Sequence, residues 1–464
     1  MLTALINHEY RHDQWTGEVR SGDLGRALPP DTSSSTTRSS APRNEKSAPV
    51  TGPASATPVG TPPASEAQRR VLTVLVAGQI LSGAGLAAGI TVGALLAQDM
   101  LGSTDLAGLP SALFTAGSAL AAVTIGRISQ SRGRRPGLAA GYLAGAVGSA
   151  GVIAAAVADN PVLLFVALFV YGAGTATNLQ ARYAGADLAA PAHRARAVST
   201  VLVATTLGGV VGPNLASPTG TLADALGIPT LAGPFLLAGA AYALAALVLA
   251  VWLRPDPLLL ARSLDLQQQK HTSGDSEETP VRQPGLMLGA LTMILTQLVM
   301  VAIMTMTPVH MHDHGHGTAA SGFVIAVHVG AMYLPSPLTG RLVDRYGRTS
   351  IAAASGVTLL AAGITAAAAP DDSVGLLALA LALLGLGWNF GLVSGTAMIT
   401  DAVPLATRAK TQGLVDVSIA IAGATGGLTS GLVVSAAGYP VLALTGGVLA
   451  LAVLPAIAVT AGSR

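Results

Sequence analysis

No cysteine occurs among the 464 residues, which excludes disulfides and thiolate metal sites. Charge is almost as scarce. Asp, Glu, Lys and Arg make up 10% of the chain, against about a quarter in soluble proteins. With 51% apolar residues and a mean hydropathy of +0.59, the sequence reads as a membrane protein. It has no nucleophile–base pattern and no phosphate-binding pattern, so an enzyme is not expected. A net charge of +2 gives no reason to expect a nucleic-acid partner. The start lacks a basic stretch followed by an apolar core, so no signal peptide is expected. Residues 1–68 are rich in Ser, Thr, Pro and Ala and lack the apolar content that offsets ordering entropy, so they read as a disordered tail.

What is present is a series of apolar runs, each near the roughly 20 residues that a spanning helix needs. Twelve are read, over 71–98, 109–128, 137–158, 161–185, 197–217, 230–253, 285–311, 319–343, 350–369, 374–400, 411–436 and 439–461. The polar stretch 254–284 divides them into a bundle over 69–253 and a second over 285–464, and reads as a flexible linker. With twelve spans, every Lys and Arg between them falls on one side: Arg69 and Arg70, the 126–136 loop, Arg194 and Arg196, the linker, the 340–348 loop, and Arg408 and Lys410. The opposite loops carry Asp99, Asp105, Asp159, Asp224, Asp313, Asp371 and Asp372 but no cation. The positive-inside rule then places both termini and the linker in the cytoplasm.

The two bundles repeat one unit. The stretch from Gly126 to Arg134 recurs 214 residues later from Gly340 to Arg348, and Asp187, Arg194 and Arg196 are matched by Asp401, Arg408 and Lys410 at the same offset. Gly340, Asp344, Arg345, Gly347 and Arg348 spell G-x-x-x-D-R-x-G-R, which resembles the signature loop of the major facilitator superfamily. The first copy keeps Gly126, Gly133 and Arg134 but has Gln130 and Ser131 in place of the acid and its arginine, so lopsided latching is expected. The resemblance runs from Val71 to the C-terminus. It implies an all-α fold of twelve transmembrane helices in two pseudo-symmetric six-helix bundles, related as parallel repeats with the solute site between them. It also implies that the 340–348 loop is a conformational latch.

Polar residues inside spans that break the repeat are the functional candidates, because charge in a bilayer is costly and faces the interior or a watery cavity. Arg182 is the Lys or Arg placed deepest within a span, and its mate is Thr396. It reads either as an interior cation facing a solute or a proton-carrying carboxylate, or as an arginine that snorkels or pairs with Asp187. Asp416, with mate Leu202, is the only acid well within a span. A carboxylate in a low-dielectric site can exchange a proton near neutral pH, which makes Asp416 a coupling candidate; the alternative is a structural carboxylate. Gly208, Gly212 and Pro213 resemble the G-x-x-x-G-P motif of proton antiporters in the same superfamily. Gln297, Trp388 and Asn389 are candidate cavity residues.

His310, His312, Asp313, His314 and His316 crowd one end of the seventh run, and His328 follows in the eighth. Imidazole with carboxylate suits Zn, Ni, Cu or Fe(II), although a polar capping loop and a pH-sensitive gate fit the same residues. The expected function is secondary transport, first as proton-coupled export of small organic molecules with no required cofactor. The alternatives are transport of a divalent metal or its chelate, and a membrane sensor of pH or metal. The expected partners are the bilayer, protons and a small solute or metal. The expected form is a monomer in the cell membrane.

Overall fold

The computed structural model describes residues 64–101, 109–271, 283–370 and 372–462. Sixteen α-helices occupy them: α1 Ala64–Leu101, α2 Leu109–Arg132, α3 Arg134–Val157, α4 Pro161–Ala186, α5 Arg194–Asn214, α6 Ala216–Ala225, α7 Gly233–Trp252, α8 Pro257–His271, α9 Gln283–Asp313, α10 Thr318–Tyr333, α11 Ser336–Tyr346, α12 Arg348–Ala368, α13 Val374–Ala402, α14 Arg408–Ala437, α15 Tyr439–Ala450 and α16 Val453–Gly462. Ten stretches among the described residues are long and apolar enough to cross a membrane. Helices α1 and α5 occupy the first and fifth places in the series of twelve.

Local chemistry sets the boundaries. Asn160 caps α4 by accepting from the Leu163 N–H at 3.0 Å, ahead of Pro161 in the first turn. Gly133 at φ 98° and Gly347 at φ 94° separate α2 from α3 and α11 from α12, a left-handed turn that glycine adopts without strain. The eighth span breaks at Leu334–Pro335, where two prolines, Pro335 and Pro337, interrupt the ladder. The fifth span ends at Asn214, just past Pro213, and α6 restarts at Ala216.

Two expectations change. The tail was expected to reach residue 68, but helix starts at Ala64 and Gln68 Nε2 donates to the Gly185 carbonyl at 2.7 Å; residues 1–63 lie outside the described residues. The linker over 254–284 is not uniformly loose. Its first half is α8, capped by Asp256, whose Oδ1 accepts from Leu258 N at 3.1 Å and Leu259 N at 3.2 Å. Residues 272–282, which include the acidic run at 275–278, lie outside the described residues.

Each half packs its own helices, with α3 against α4 and α7, and α12 against α13 and α15. The first half holds a buried aromatic cluster in which Tyr171 meets Phe235 at 5.4 Å and Tyr242 at 5.6 Å between ring centroids. The halves meet where α14 lies along α2 and α11 along α5. Both seams run to the end of the molecule that carries the cationic loops.

Candidate functional site

The two intramembrane charges singled out in the sequence are partners. Arg182, near the end of α4, places Nη2 2.6 Å from Asp416 Oδ1 on α14, and the side chains are 0% and 5% exposed. Arg182 therefore neither snorkels nor pairs with Asp187. Its Nε donates to Thr396 Oγ1 at 3.1 Å, and Nη1 donates to the Leu179 carbonyl. Nη2 also donates to the Tyr183 hydroxyl at 3.0 Å, and that hydroxyl donates to Asp416 Oδ1 at 3.2 Å. The guanidinium carbon lies 4.3 Å from the centre of the Tyr183 ring. Four donors thus hold the cation and its carboxylate in a nearly dry site, the arrangement a buried ion pair needs to offset desolvation.

One valence is left open. Asp416 Oδ2 is buried without a hydrogen-bond partner. Because α4 and α14 belong to different halves, the pair spans the seam between them.

A second set of charges closes the cationic end, and it repeats. Arg134 Nε lies 2.7 Å from Asp187 Oδ2, and Arg348 Nε lies 2.7 Å from Asp401 Oδ2, the same pair in each half at the repeat offset. Each pair reaches across the seam: Arg134 Nη2 donates to Gln412 Oε1, and Asp401 also accepts from Arg194. Arg348 Nη2 donates to the Pro191 carbonyl at 2.6 Å.

Asp344 caps the start of α5, accepting from Ala195 N at 3.2 Å and Arg196 N at 3.1 Å. Gln130 does the same for α14, accepting from Ala409 N at 2.8 Å and Lys410 N at 3.3 Å. Its amide also donates to the Leu405 and Ala406 carbonyls. Both loops therefore cap the matching helix of the other half, and a helix N-terminus accepts a neutral amide oxygen as well as a carboxylate. They differ in what else they hold: Asp344 lies 3.6 Å from Arg196 Nε, whereas Gln130 donates to two carbonyls.

Gly340 allows the close approach of α11, since a Cβ there would lie 2.6 Å from Ser199 Oγ and 2.8 Å from the Ala195 carbonyl. Gly347 supplies the turn. Arg345 takes no part in the seam; it is exposed and lies over its own neighbour Tyr346 at 5.3 Å.

The remaining candidates divide. Trp388 Nε1 donates to Gln297 Oε1 at 2.8 Å, and Tyr333 meets the indole edge-on at 5.7 Å, so these form one polar–aromatic cluster in the second half. Asn389 is fully buried, and its Oδ1 has no hydrogen-bond partner. Its Nδ2 donates to the Met332 carbonyl at 2.7 Å and Ser336 Oγ at 2.6 Å, which pins the break between α10 and α11. Gly208 lets α5 press on α1, where a Cβ would lie 2.2 Å from the Ile80 carbonyl. The side chains at Gly212 and Pro213 lie outside the described residues.

The histidines divide between the end of α9 and the interior of α10. Helix α9 runs through Asp313. There His310 stacks on Tyr439 at 4.4 Å and against His314 at 4.4 Å, while His312 and Asp313 are exposed and His316 is half-buried. His328 is buried in α10 with Nδ1 2.9 Å from the Leu381 carbonyl. Among the described residues no three His, Asp or Glu side chains are placed to hold a metal ion.

Sequence reasoning missed Tyr183, Gln412 and the two Arg–Asp pairs. The pairs had a signal, because all four residues obey the repeat offset. Tyr183 had none beyond standing next to Arg182.

Comparison with known proteins agrees with this architecture. A model of the Major Facilitator Superfamily matches residues 75–335 and 290–462. The uncharacterized MFS-type transporter YddS of Bacillus subtilis is 54% identical over 393 residues, covering 84% of this chain and 90% of that protein. The riboflavin transporter RfnT of Brucella anthropi is 32% identical over 357 residues, covering 75% and 85%. Among solved structures, the human organic anion transporter MFSD10 matches with a TM-score of 0.68 at 17% identity, over 84% of this chain and 99% of that one. The proton:xylose symporter XylE matches at 0.67 and 17%, over 84% and 95%; at such identities the likeness is one of fold. With two seams, a repeated unit and these relatives, the chain belongs to the Major Facilitator Superfamily of membrane transporters.

Proposed function

We propose that this transporter exports small organic molecules in exchange for protons by alternating access, acting as a monomer in the cell membrane with the cationic end in the cytoplasm. The observation that carries the reading is the Arg182–Asp416 pair, buried across the seam with one carboxylate oxygen unpartnered. With the cytoplasmic end shut, a proton arriving from outside reaches Asp416, neutralises it and releases the hold of α14 on Arg182. The halves then part on the cytoplasmic side, and an incoming solute favours the return of the proton to the cytosol. A two-state equilibrium of this kind moves only as far as the differential affinity of proton and solute for the two states. The resemblance of Gly208 to Pro213 to an antiporter motif supports exchange over symport.

The polar–aromatic cluster of Gln297, Trp388 and Tyr333 suits a flat ring system with hydrogen-bonding edges. One relative at 32% identity is a riboflavin transporter, so flavins and other planar heterocycles are the first solutes to test. Purified protein in proteoliposomes, with a pH gradient imposed in each direction, should drive solute movement against its own gradient. Transport that proceeds at the same rate and to the same level with the gradient collapsed would refute proton coupling.

A further inference from the structure

The chain between the two bundles is expected to do no more than join them, yet its helix is docked under both. Asp256, at the start of α8, accepts from Arg135 N at 2.7 Å with Oδ2 and so ties the linker to the turn between α2 and α3. Leu258 and Ala261 are buried beneath the bundle. One turn further, Arg262 Nη1 donates to the Gln130 carbonyl at 2.9 Å, and Nε donates to the Leu405 carbonyl at 3.2 Å.

These acceptors belong to different halves. Gln130 lies in the last turn of α2, where backbone carbonyls have no partner within the helix and cations are favoured. Leu405 lies in the loop between α13 and α14. Its carbonyl also accepts from the Gln130 side chain at 3.3 Å, so Arg262 sits at the point where the first half's signature loop meets the second half. Arg262 also lies within electrostatic reach of Asp187 and Arg134.

We infer that Arg262 is a positioning residue for transport: a clamp, carried on the linker helix, that favours the state closed at the cationic end. It rests on the reading that this end opens in the transport cycle. When the halves part there, α8 stays with the first half, to which Leu253–Asp256 joins it directly, and Arg262 keeps the Gln130 carbonyl but loses Leu405. The guanidinium has a fixed fork of donors that spans two carbonyls at once; an ammonium is one point donor cluster on a flexible stem. The linker thus biases the equilibrium by docking rather than by tethering.

The absence of cysteine allows a clean test on the full-length protein. Ser131 at the end of α2 and Ser350 at the start of α12 are both exposed and lie in different halves. Spin labels at S131C and S350C report the separation of the cationic ends without solute or pH gradient, so the result does not depend on proton coupling. Arg262→Ala should raise the ratio of long to short distances by about tenfold, the scale of one charge-assisted hydrogen bond. Arg262→Lys should restore part of the short population, and Arg262→Gln covers the case in which the alanine variant does not fold. Cutting the backbone at a protease site inserted within 272–282 should leave the distances unchanged. The proposal is overturned if the alanine and glutamine variants keep the wild-type distribution, or if the cut chain opens as far as Arg262→Ala.

Discussion

Replacing Asp416 by Asn removes one charge of the Arg182–Asp416 pair and almost none of its volume. Arg182 keeps its bonds to Thr396, Tyr183 and the Leu179 carbonyl but loses the carboxylate 2.6 Å away. Stranding one member of a buried pair costs about 3–5 kcal/mol, or roughly two to four orders of magnitude in an equilibrium constant. The partners lie on opposite halves, so the protein can relieve most of that cost by parting at the cationic end and admitting water to the guanidinium. The penalty is therefore expected as a shift toward the open cationic end rather than as global unfolding. The labels at positions 131 and 350 should move to long distances, and pH-gradient-driven transport in proteoliposomes should be lost while solute binding persists. Removing both charges, Arg182→Met with Asp416→Leu, leaves no stranded ion; buried pairs replaced in this way are often neutral or stabilised by about 1–4 kcal/mol. The double variant should be closed again, yet inactive. Wild-type gradient-driven transport by Asp416→Asn, or a double variant as open as the single one, would sink the reasoning.

Three further predictions follow from the same seams. A Cβ at Gly413 would lie 2.6 Å from the Ala122 carbonyl, whereas one at Gly431 meets nothing within 4 Å; Gly413→Ala should open the cationic end in the label measurement and Gly431→Ala should not. Gln130 and Asp344 cap matching helices, so Gln130→Ala and Asp344→Asn should slow transport by similar factors, and a Gln130→Ala variant at wild-type rate would show that the first loop's docking is idle. A reporter fused at Gln268 should be cytoplasmic and one at Asp372 external; both on one side would contradict the proposed orientation.

The helices were largely legible because spans and loops differ so sharply in polarity that length and hydropathy alone separate them. The repeat was legible because Arg134, Asp187, Arg348 and Asp401 keep their spacing. Arg182 and Asp416 could be chosen as the charges that break the repeat, but their partnership could not, since 234 residues separate them and periodicity carries no information about which helix crosses which. The linker helix was hidden by composition: Gln267, Gln268 and Gln269 read as loop, although glutamine is a good helix former and Asp256 supplies the cap. Asn389 shows the opposite failure. A polar side chain inside a span suggests a cavity, but here Asn389 donates to the Met332 carbonyl and Ser336 Oγ on either side of the break at Pro335. Of the histidine run, the sequence could list the ligand chemistry but not which rings meet, as His310 and His314 do.

Arg182 donates to Thr396, the residue that holds its own place in the second half. Two equivalent positions touch only where the halves face each other across their common axis. In an ancestor made of two identical units, an arginine there would have met another arginine, and the like charges would have driven the units apart. Asp416 likewise has an uncharged counterpart, Leu202. Neither half carries both charges at these positions, so a homodimer of either half alone could not build the pair.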